Sequence, residues 1–399
     1  MFRIRISANQ YLNNSGYRSA EIELPANKAS ILDAFDLARI PYGSGEYQLE
    51  SKRCAPAFVR KVLDNTVYNP SIAEMNHLAE RMVEISEDER DMLDGIMEIR
   101  GSYNIMDAIN ATHNLHGFEY HPCATNDIEL GEIAIDNGFP VVENVPEDLL
   151  SCLDPEKVGA LMRSNDHGVF TKCGYLVPDG CDWEEAYDGQ SLSARSVTLE
   201  SNDPIISLLF YHNSMPIDET QNFGASLNLP ATNDTIRSTL ALLGTDSFDN
   251  CDWINLESVI PTFKCDTMYQ ASVDELNILA EAIKTHCGAQ LAKYKAVCDL
   301  EDVIDVKTAI RITERLDEYD FIQLTSTETF GRAAFTKSGN DINLAEGFGF
   351  DFDAYGHKMM QEQNIRSTCY GFISHPRGQE QAAVMAEPEE VTIEPTMGI

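Results

Sequence analysis

The sequence predicts an α+β fold in two tandem copies, each made of three small units. The segment Ser71–Met82 (SIAEMNHLAERM) returns as Ser272–Ile283 (SVDELNILAEAI). The tripeptide Leu-Pro-Ala at Leu24–Ala26 returns at Leu229–Ala231. Further matches keep the same order while the offset between the copies drifts from 205 to 197 residues. Ordered matches at a nearly constant spacing indicate an internal duplication, with about 175 residues in each copy.

The first unit of each copy is predicted to be a small sheet with one helix. Phe2, Ile4 and Ile6 alternate with Arg and Ser, which indicates a half-buried strand. A second strand is expected over Ala20–Leu24, and a helix is expected to start at Pro25. The counterparts in the second copy are Ile205–Tyr211, Ala225–Leu229 and Ile236–Leu243.

The second unit of each copy is predicted to be helical. Ser71 and Glu74 have the spacing of a capping box, and so do Ser86 and Glu89. Apolar residues then recur at helical spacing, and a third helix is expected over residues 105–115. In the second copy, the first box is repeated at Ser272 and Glu275, and the third helix is expected over residues 303–316.

The third unit of each copy is predicted to mix short strands with helices. Pro-Glu at positions 146–147 and 155–156 is typical of the first turn of a helix. The elements expected in the first copy are a strand at Phe118–Tyr120, helices over 130–135 and from 145 and 154, and a hairpin over 169–170 and 175–177. Those expected in the second copy are a helix over 350–360 and a strand over 369–373.

These units set the predicted domain boundaries. The first copy comprises residues 1–68, 69–117 and 118–180, and the second copy comprises residues 204–269, 270–318 and 319–376. Residues 181–203 are expected to link the two copies. Residues 377–399 are rich in Gln, Glu and Pro, and this composition predicts a disordered tail.

The chain is strongly acidic. Its 399 residues carry 65 Asp and Glu against 29 Lys and Arg, a net charge of −36, and each half contributes −18. No Lys or Arg lies between Arg100 and Lys157, while 11 acidic residues occur from Asp107 to Glu156. This balance argues against direct binding to nucleic acid or to an anionic membrane, because phosphate contacts need basic side chains. An incidentally acidic protein remains an alternative, and so does adaptation to high salt, which the ten Cys and many large apolar residues disfavour.

Cysteine usage and the N-terminal sequence favour a reducing, cytoplasmic location. None of the ten Cys forms a CxxC pair and none aligns between the copies, so free thiols are expected. The residues MFRIRISANQ lack the apolar core of a signal peptide. No run of 18 apolar residues predicts a membrane span.

No familiar catalytic or cofactor motif occurs in the sequence. The Gly-rich phosphate loops, the zinc-protease motif, the nucleophile elbow and the EF-hand loop are all missing. His113, His116, His121 and Cys123 are close in sequence, but the second copy does not repeat this group. We therefore expect no enzyme activity, no cofactor and no metal site.

Five acidic positions coincide between the copies. Each has a structural explanation, as a helix cap, as a favourable charge in a first helical turn or as a solvent-facing helix residue. A functional hypothesis therefore depends on the collective charge and not on single residues. The pairs are Glu74 with Glu275, Glu80 with Glu281, Glu119 with Asp320, Asp154 with Asp351, and Glu156 with Asp353.

Three features of the sequence resemble the ArdA antirestriction proteins. The first is the opening strand–loop–strand that ends in Leu-Pro, Ile4–Pro25. The second is the motif E-[LM]-N-x-L-A at Glu74–Ala79 and Glu275–Ala280. The third is Val-Pro-Glu followed by an aromatic–Asp step and a helix, in Val145–Met162 and Phe350–Met360. The first copy lacks the aromatic residues of that step, and the second copy lacks the Val-Pro-Glu lead.

The resemblance implies an elongated molecule in which each copy corresponds to a whole ArdA protomer. It implies a B-DNA mimic that occupies the DNA groove of the methyltransferase core of a type I restriction–modification enzyme. One chain would hold both halves of the ArdA dimer, or would pair again into a longer assembly. The acidic surface implied to meet the partner comprises Asp107, Glu119, Asp127, Glu129, Glu132, Asp136, Glu143, Glu147, Asp148, Asp154, Glu156, Asp302, Asp305, Asp317, Glu318, Asp320, Asp351 and Asp353.

The amount of charge agrees with mimicry. B-DNA carries one negative charge per roughly 1.7 Å of axis, so 36 charges correspond to about 61 Å, or about 18 base pairs. Three alternatives stay open. The protein could inhibit another DNA-engaging defence complex, such as a CRISPR effector, or it could be an interaction scaffold whose acidity is incidental. An enzyme with an unfamiliar site would need a deep polar pocket in at least one copy.

Overall fold

Helices and small antiparallel sheets alternate along the chain, which is an α+β protein as predicted. The computed structural model divides into two units, Met1–Ser201 (unit 1) and Asn202–Ile399 (unit 2). The predicted disordered tail, residues 377–399, lies outside the described residues. The structure describes residues 1–9, 18–52, 55–65, 67–213, 224–260, 271–286, 288–303, 305–324 and 326–374.

Unit 1 contains two three-stranded sheets, and its helices lie between and within these sheets along the chain. Its strands are β1 (Phe2–Ala8), β2 (Ser19–Leu24), β3 (Tyr47–Ser51), β4 (Phe118–Pro122), β5 (Val169–Phe170) and β6 (Gly174–Pro178). Its helices are α1 (Lys28–Leu37), α2 (Ala57–Leu63), α3 (Ile72–Glu84), α4 (Glu87–Arg100), α5 (Ile105–Ala111), α6 (Asp127–Asp136) and α7 (Pro155–Asp166), with 3-10 turns at Leu115–Gly117 and Glu147–Cys152.

Unit 2 follows the same order. Its strands are β7 (Ile206–His212), β8 (Ala225–Leu229), β9 (Cys251–Ser258), β10 (Asp320–Ile322), β11 (Ile365–Ser367) and β12 (Phe372–Ser374). Its helices are α8 (Asn233–Leu243), α9 (Val273–Thr285), α10 (Ala289–Leu300), α11 (Val306–Arg315), α12 (Thr327–Lys337), α13 (Ile342–Gly347) and α14 (Phe352–Glu362), with 3-10 turns at Phe248–Asn250 and Leu316–Glu318.

The two units share one sheet topology. The first sheet has the order β2-β1-β3 in unit 1 and β8-β7-β9 in unit 2. The second sheet has the order β4-β6-β5 in unit 1 and β10-β12-β11 in unit 2. In every sheet the central strand pairs antiparallel with both neighbours. The repeated sequence segments therefore occupy equivalent places in two equivalent architectures.

The repeated Leu-Pro-Ala turn is fastened to the repeated helical motif in both units. In unit 1 the backbone N–H of Ala26 donates to Oδ1 of Asn76 at 2.7 Å. In unit 2 the N–H of Ala231 donates to Oδ1 of Asn277, also at 2.7 Å. The Asn of the E-[LM]-N-x-L-A motif thus satisfies a backbone donor of the turn, which explains why both segments recur together.

Local capping chemistry sets several helix starts. Both predicted boxes of unit 1 are confirmed: the hydroxyl of Ser71 accepts from the N–H of Glu74, and Ser86 and Glu89 repeat the arrangement. The first helix was predicted from Pro25 but begins at Lys28. The reason is that the side chain of Asn27 accepts from the N–H of Ser30 and caps the helix there.

Residues 181–200, called the strap below, belong to unit 1. The side chain of Asn110 binds both backbone groups of Tyr187, at 2.7 and 3.0 Å, and Asn114 binds those of Glu184 in the same way. The hydroxyl of Tyr187 donates to Glu74 at 2.8 Å. We predicted a linker over 181–203; the boundary between the units falls within that range, after Ser201, and the residues before it are bound to unit 1.

Arg195 fastens the second half of the strap. Its guanidinium donates to the carbonyls of Gly45, Asn69 and Pro70 at 2.8–3.1 Å, and to that of Tyr47. The charged group also lies over the Tyr47 ring, 4.0 Å from its centroid. One side chain therefore joins the strap to several backbone segments of unit 1.

Replacing Arg195 by alanine should lower the free energy of unfolding of unit 1 by about 2–3 kcal/mol, because several carbonyls lose a charged donor. Urea denaturation followed by fluorescence would measure this, since Trp183 lies in the strap and stacks on Arg100 at 4.1 Å. Lys172→Ala, at an exposed site, is the control. Equal midpoints for the two variants would contradict the assigned role.

Candidate partner-binding surface

The acidity is unevenly distributed among the predicted units. Residues 118–180 contain 12 acidic and 3 basic residues, a net charge of −9. The equivalent residues 319–376 contain 7 acidic and 4 basic residues, a net charge of −3. Residues 1–68, by contrast, carry a net charge of +2. We call residues 118–180 the third layer of unit 1 and residues 319–376 the third layer of unit 2. The third layer of unit 1 is therefore the strongest candidate for a charge-based interaction.

Helix α6 presents an acidic outer face. Asn126 caps its start by accepting from two backbone N–H groups at 3.0 Å. Leu130 and Ala134 are fully buried on the inner face. Glu132 and Asp136, one turn apart, are exposed. The spacing of apolar and acidic residues thus gives α6 a buried apolar face and an exposed face that carries carboxylates.

Helices α6 and α7 cross in close contact at two glycines. A Cβ added at Gly131 would overlap the carbonyl oxygen of Pro155, and one added at Gly159 would overlap that of Asp127. Glu132 directly follows Gly131 in the sequence, and Glu156 directly follows Pro155. The crossing therefore brings carboxylates of two helices into one neighbourhood.

Six exposed carboxylates of this layer have no ion pair with any residue that the structure describes. They lie on α6, in the loop after it, in the 3-10 turn and in the first turn of α7. Charges of this kind stay available to a partner, because none of the cations that the structure describes pairs with them. We call this set the acidic surface: Glu132, Asp136, Glu143, Glu147, Asp148 and Glu156.

Four other residues of the predicted surface in unit 1 are engaged locally. Asp127 binds Arg163 through both carboxylate oxygens at 2.9 Å. Asp154 pairs with Lys157 at 3.2 Å, and Glu119 lies 3.6 Å from the ring of His121. Glu129 accepts from the hydroxyl and N–H of Thr125, and the hydroxyl contact lowers the pKa of Glu129.

Asp107 is misplaced in the predicted surface, because it is buried. Its carboxylate accepts from the side chain of Asn104 at 2.7 Å and lies 3.6 Å from Arg100. Asn104 also caps α5 by accepting from the N–H of Asp107. The Asn-x-x-Asp spacing is a capping signal, but capping residues such as Asp305 and Asp351 are exposed, so the burial of Asp107 follows from the tertiary structure and not from this local pattern.

The predicted acidic residues of unit 2 are all exposed, but several act as caps or ion pairs. Asp305 caps α11 and Asp351 caps α14. A hydrogen bond from Thr308 lowers the pKa of Asp305, and one from Arg315 lowers the pKa of Glu318. Those without an ion pair to any described residue are Asp302, Asp305, Asp317, Asp320 and Asp351.

Basic side chains partly neutralise the third layer of unit 2. Arg332 pairs with both Glu328 and Glu346, at positions where unit 1 has no cation. Lys358 lies 3.7 Å from Glu362, and His357 lies 3.7 Å from Asp353. The sequence analysis found the same net charge in the two halves of the chain. The structure shows that the copies differ in free charge.

A cavity of about 370 Å³ lies beside the second sheet of unit 1. Phe139, Val141 and Met162 contribute apolar walls, and Glu119 and His121 contribute polar groups. The ring of His121 is buried against Phe139, with their centroids 5.2 Å apart. Among the described residues no group of three or more His, Cys, Asp or Glu is placed to hold a metal ion.

Two further features bear on the predictions. No helix in the described part of the chain combines the length and apolarity needed to cross a membrane. The cysteines for which the structure describes a state are free thiols: Cys123, Cys152, Cys173, Cys181, Cys251, Cys298 and Cys369.

Comparison with known proteins does not assign the chain to a family. No protein-family model matches the sequence, and no curated protein matches it either. The function therefore has to be argued from the charge, burial and contacts of this chain.

Proposed function

We propose that the protein is an antirestriction protein that acts as a B-DNA mimic. It would bind the DNA groove of the methyltransferase core of a type I restriction–modification enzyme through the acidic surface of unit 1. The observation that carries this proposal is the set of six exposed carboxylates, from Glu132 to Glu156, that have no ion pair with described residues. The ArdA-like order of sequence motifs supports the choice of target.

Electrostatics explain how such a surface would work. A groove that binds DNA is lined by Lys and Arg placed for phosphates, and carboxylates offer those side chains the same charge-assisted hydrogen bonds. Attraction between oppositely charged surfaces also speeds association, and repulsion between like charges disfavours binding to acidic partners. Occupying the groove requires no chemical step, and the proposed function needs no catalytic residue.

The uneven charge refines the proposal. The third layer of unit 1 would make the principal contact, since its net charge is −9 against −3 in the equivalent residues of unit 2. Unit 2 would contribute through Asp302, Asp317 and Asp320, which are exposed. An inhibitor of a different DNA-binding defence complex would use the same surface, so a functional assay is needed to decide between the two target enzymes.

Competition for DNA tests the proposal directly. The purified protein in excess should displace a labelled duplex from a type I methyltransferase core and block cleavage by the complete enzyme. Raising the salt concentration should weaken the inhibition, because salt screens the attraction between exposed charges. At 0.1 M salt, the attraction is largely lost beyond a distance of about 10 Å. A CRISPR effector serves as the parallel target.

Two outcomes would change the conclusion. If several type I enzymes keep full DNA binding and cleavage while the effector is inhibited, the other defence complex is the target. If neither system responds at any salt concentration, the acidity does not serve mimicry.

A further inference from the structure

A face of unit 2 is uncovered where the strap covers unit 1. Ser71 and Ile72 at the start of α3 are each 1% exposed, and Ser71 donates to the carbonyl of Leu192 in the strap at 2.7 Å. The equivalent Ser272 is exposed and Val273 is only half-buried. The first turn of α9 thus has residues equivalent to those of α3, but they are more exposed than the residues that the strap covers in unit 1.

The neighbouring helix shows the same difference. In α1, Ile31 and Phe35 are 7% and 5% exposed, and Ile31 lies in the groove that Leu192 and other strap residues also line. The equivalent Ile236 and Leu240 of α8 are only half-buried. An apolar stripe that unit 1 removes from water is therefore left partly open in unit 2.

A basic stripe continues this face along α11. Lys307, Arg311 and Arg315 recur every four residues and so lie on one side of the helix. Their equivalents in unit 1 are Met106 and Asn110 of α5 and Asn114, three residues after the end of α5. All three contact the strap: Met106 lies beside Gly189, Asn110 binds Tyr187, and Asn114 binds Glu184. The strap path of unit 1 thus corresponds to a path of basic side chains in unit 2. Of these, Lys307 pairs with Glu275 at 3.5 Å and Arg315 pairs with Glu318 at 2.6 Å, while Arg311 has no ion pair with a residue that the structure describes.

The sequence after β12 supplies a matching occupant. The strap ends with Val197-Thr198-Leu199-Glu200, and the tetrapeptide returns as Val391-Thr392-Ile393-Glu394. Val197 packs against the core of unit 1, and the N–H of Leu199 donates to Tyr42 at 2.8 Å. Residues 375–399 also contain five Glu and one Arg, so their charge is opposite to that of the α11 stripe.

We propose that residues 375–399 are the strap of unit 2, bound across α8, α9 and α11 of the same chain. Val391 and Ile393 would cover Ile236, Leu240 and Val273, and the Glu residues before them would lie along the basic stripe. The proposal differs from the prediction of a disordered tail over residues 377–399, and it is independent of the proposed function.

The available length permits this path. Ser374 in β12 occupies the place of Val177 in β6, because they pair with the equivalent residues Asp320 and Glu119. Twenty residues separate Val177 from Val197, and seventeen separate Ser374 from Val391. Seventeen residues span up to about 56 Å when extended, which is ample within a unit of this size.

Amide hydrogen exchange on the full chain tests the proposal. In the double variant Val391→Ser/Ile393→Ser, amides of α8 and of the first turns of α9 should exchange about tenfold faster than in the unchanged protein. Val384→Ser, which alters the same segment outside the repeated tetrapeptide, should leave those rates unchanged. The triple variant Glu387→Gln/Glu389→Gln/Glu390→Gln should raise exchange in α11.

A second measurement tests whether residues 375–399 cover this face and whether they belong to the same chain or to a second copy. A chain shortened after Ser374 should bind a synthetic peptide of residues 375–399, and the peptide should restore slow exchange in α8. Unchanged exchange in the double variant, together with no peptide binding, would overturn the proposal. So would a dimer that the double variant converts to a monomer, because the segment would then cover a second copy.

Discussion

Replacing Gly159 by alanine is expected to open the third layer of unit 1. A Cβ at this position would overlap the backbone carbonyl of Asp127, and a carbonyl within a helix cannot move aside as a side chain can. The helices must separate, which should cost about 3 kcal/mol. Hydrogen exchange in α6 and α7, compared with exchange in α3, would localise the loss.

A matched pair in unit 2 provides the control for this prediction. Gly356→Ala should have an equal effect, because its Cβ would overlap the carbonyl of Thr327. Gly347→Ala should be nearly neutral, since no atom lies within 4 Å of the added carbon. Equal effects of Gly356→Ala and Gly347→Ala would show that loss of glycine flexibility, and not the close crossing, explains the result.

Neutralising the acidic surface should remove most of the inhibition. The variant Glu132→Gln/Asp136→Asn/Glu147→Gln/Asp148→Asn/Glu156→Gln removes five charges with almost no change in shape. At about 0.6 kcal/mol for each exposed charge, binding to the DNA-binding enzyme should weaken roughly 100-fold. The inhibition constant in the competition assay measures this. The circular dichroism spectrum should stay unchanged, because the five side chains are exposed.

Its control keeps the charge at the same five positions. Glu132→Asp/Asp136→Glu/Glu147→Asp/Asp148→Glu/Glu156→Asp should stay within about threefold of the unchanged protein, because long-range attraction depends on charge more than on side-chain length. An equal loss in both sets of variants would point to specific side-chain contacts. No loss in either would exclude the acidic surface as the binding site.

Local signals in the sequence were sufficient to predict much of the fold. The boxes at Ser71 and Ser86 involve residues three positions apart, and such short-range chemistry determines a helix start regardless of the rest of the chain. The duplication was visible because the two copies conserve contact partners such as Asn76 and Asn277. Elements without a strong pattern, such as β3 and α2, were not predicted.

Long-range contacts account for what the sequence did not reveal. Arg195 binds carbonyls of residues at least 125 positions earlier, and carbonyl groups are present at every residue, so no pattern marks the partners. The free charge of each copy likewise depends on cations that tertiary structure brings close, as Arg332 shows with Glu346. Only the structure separates paired carboxylates from available ones.

The glycine-mediated crossing of α6 and α7 has a consequence for the solvent around it. Two helices that approach without intervening side chains crowd their outward carboxylates, and such crowding should concentrate K⁺ and Na⁺ in the adjacent water, as it does along a duplex. A macromolecule that docks there must displace those counterions. Part of the driving force would then be the entropy of their release, which a calorimeter would register as a binding constant that changes more with cation concentration than with temperature.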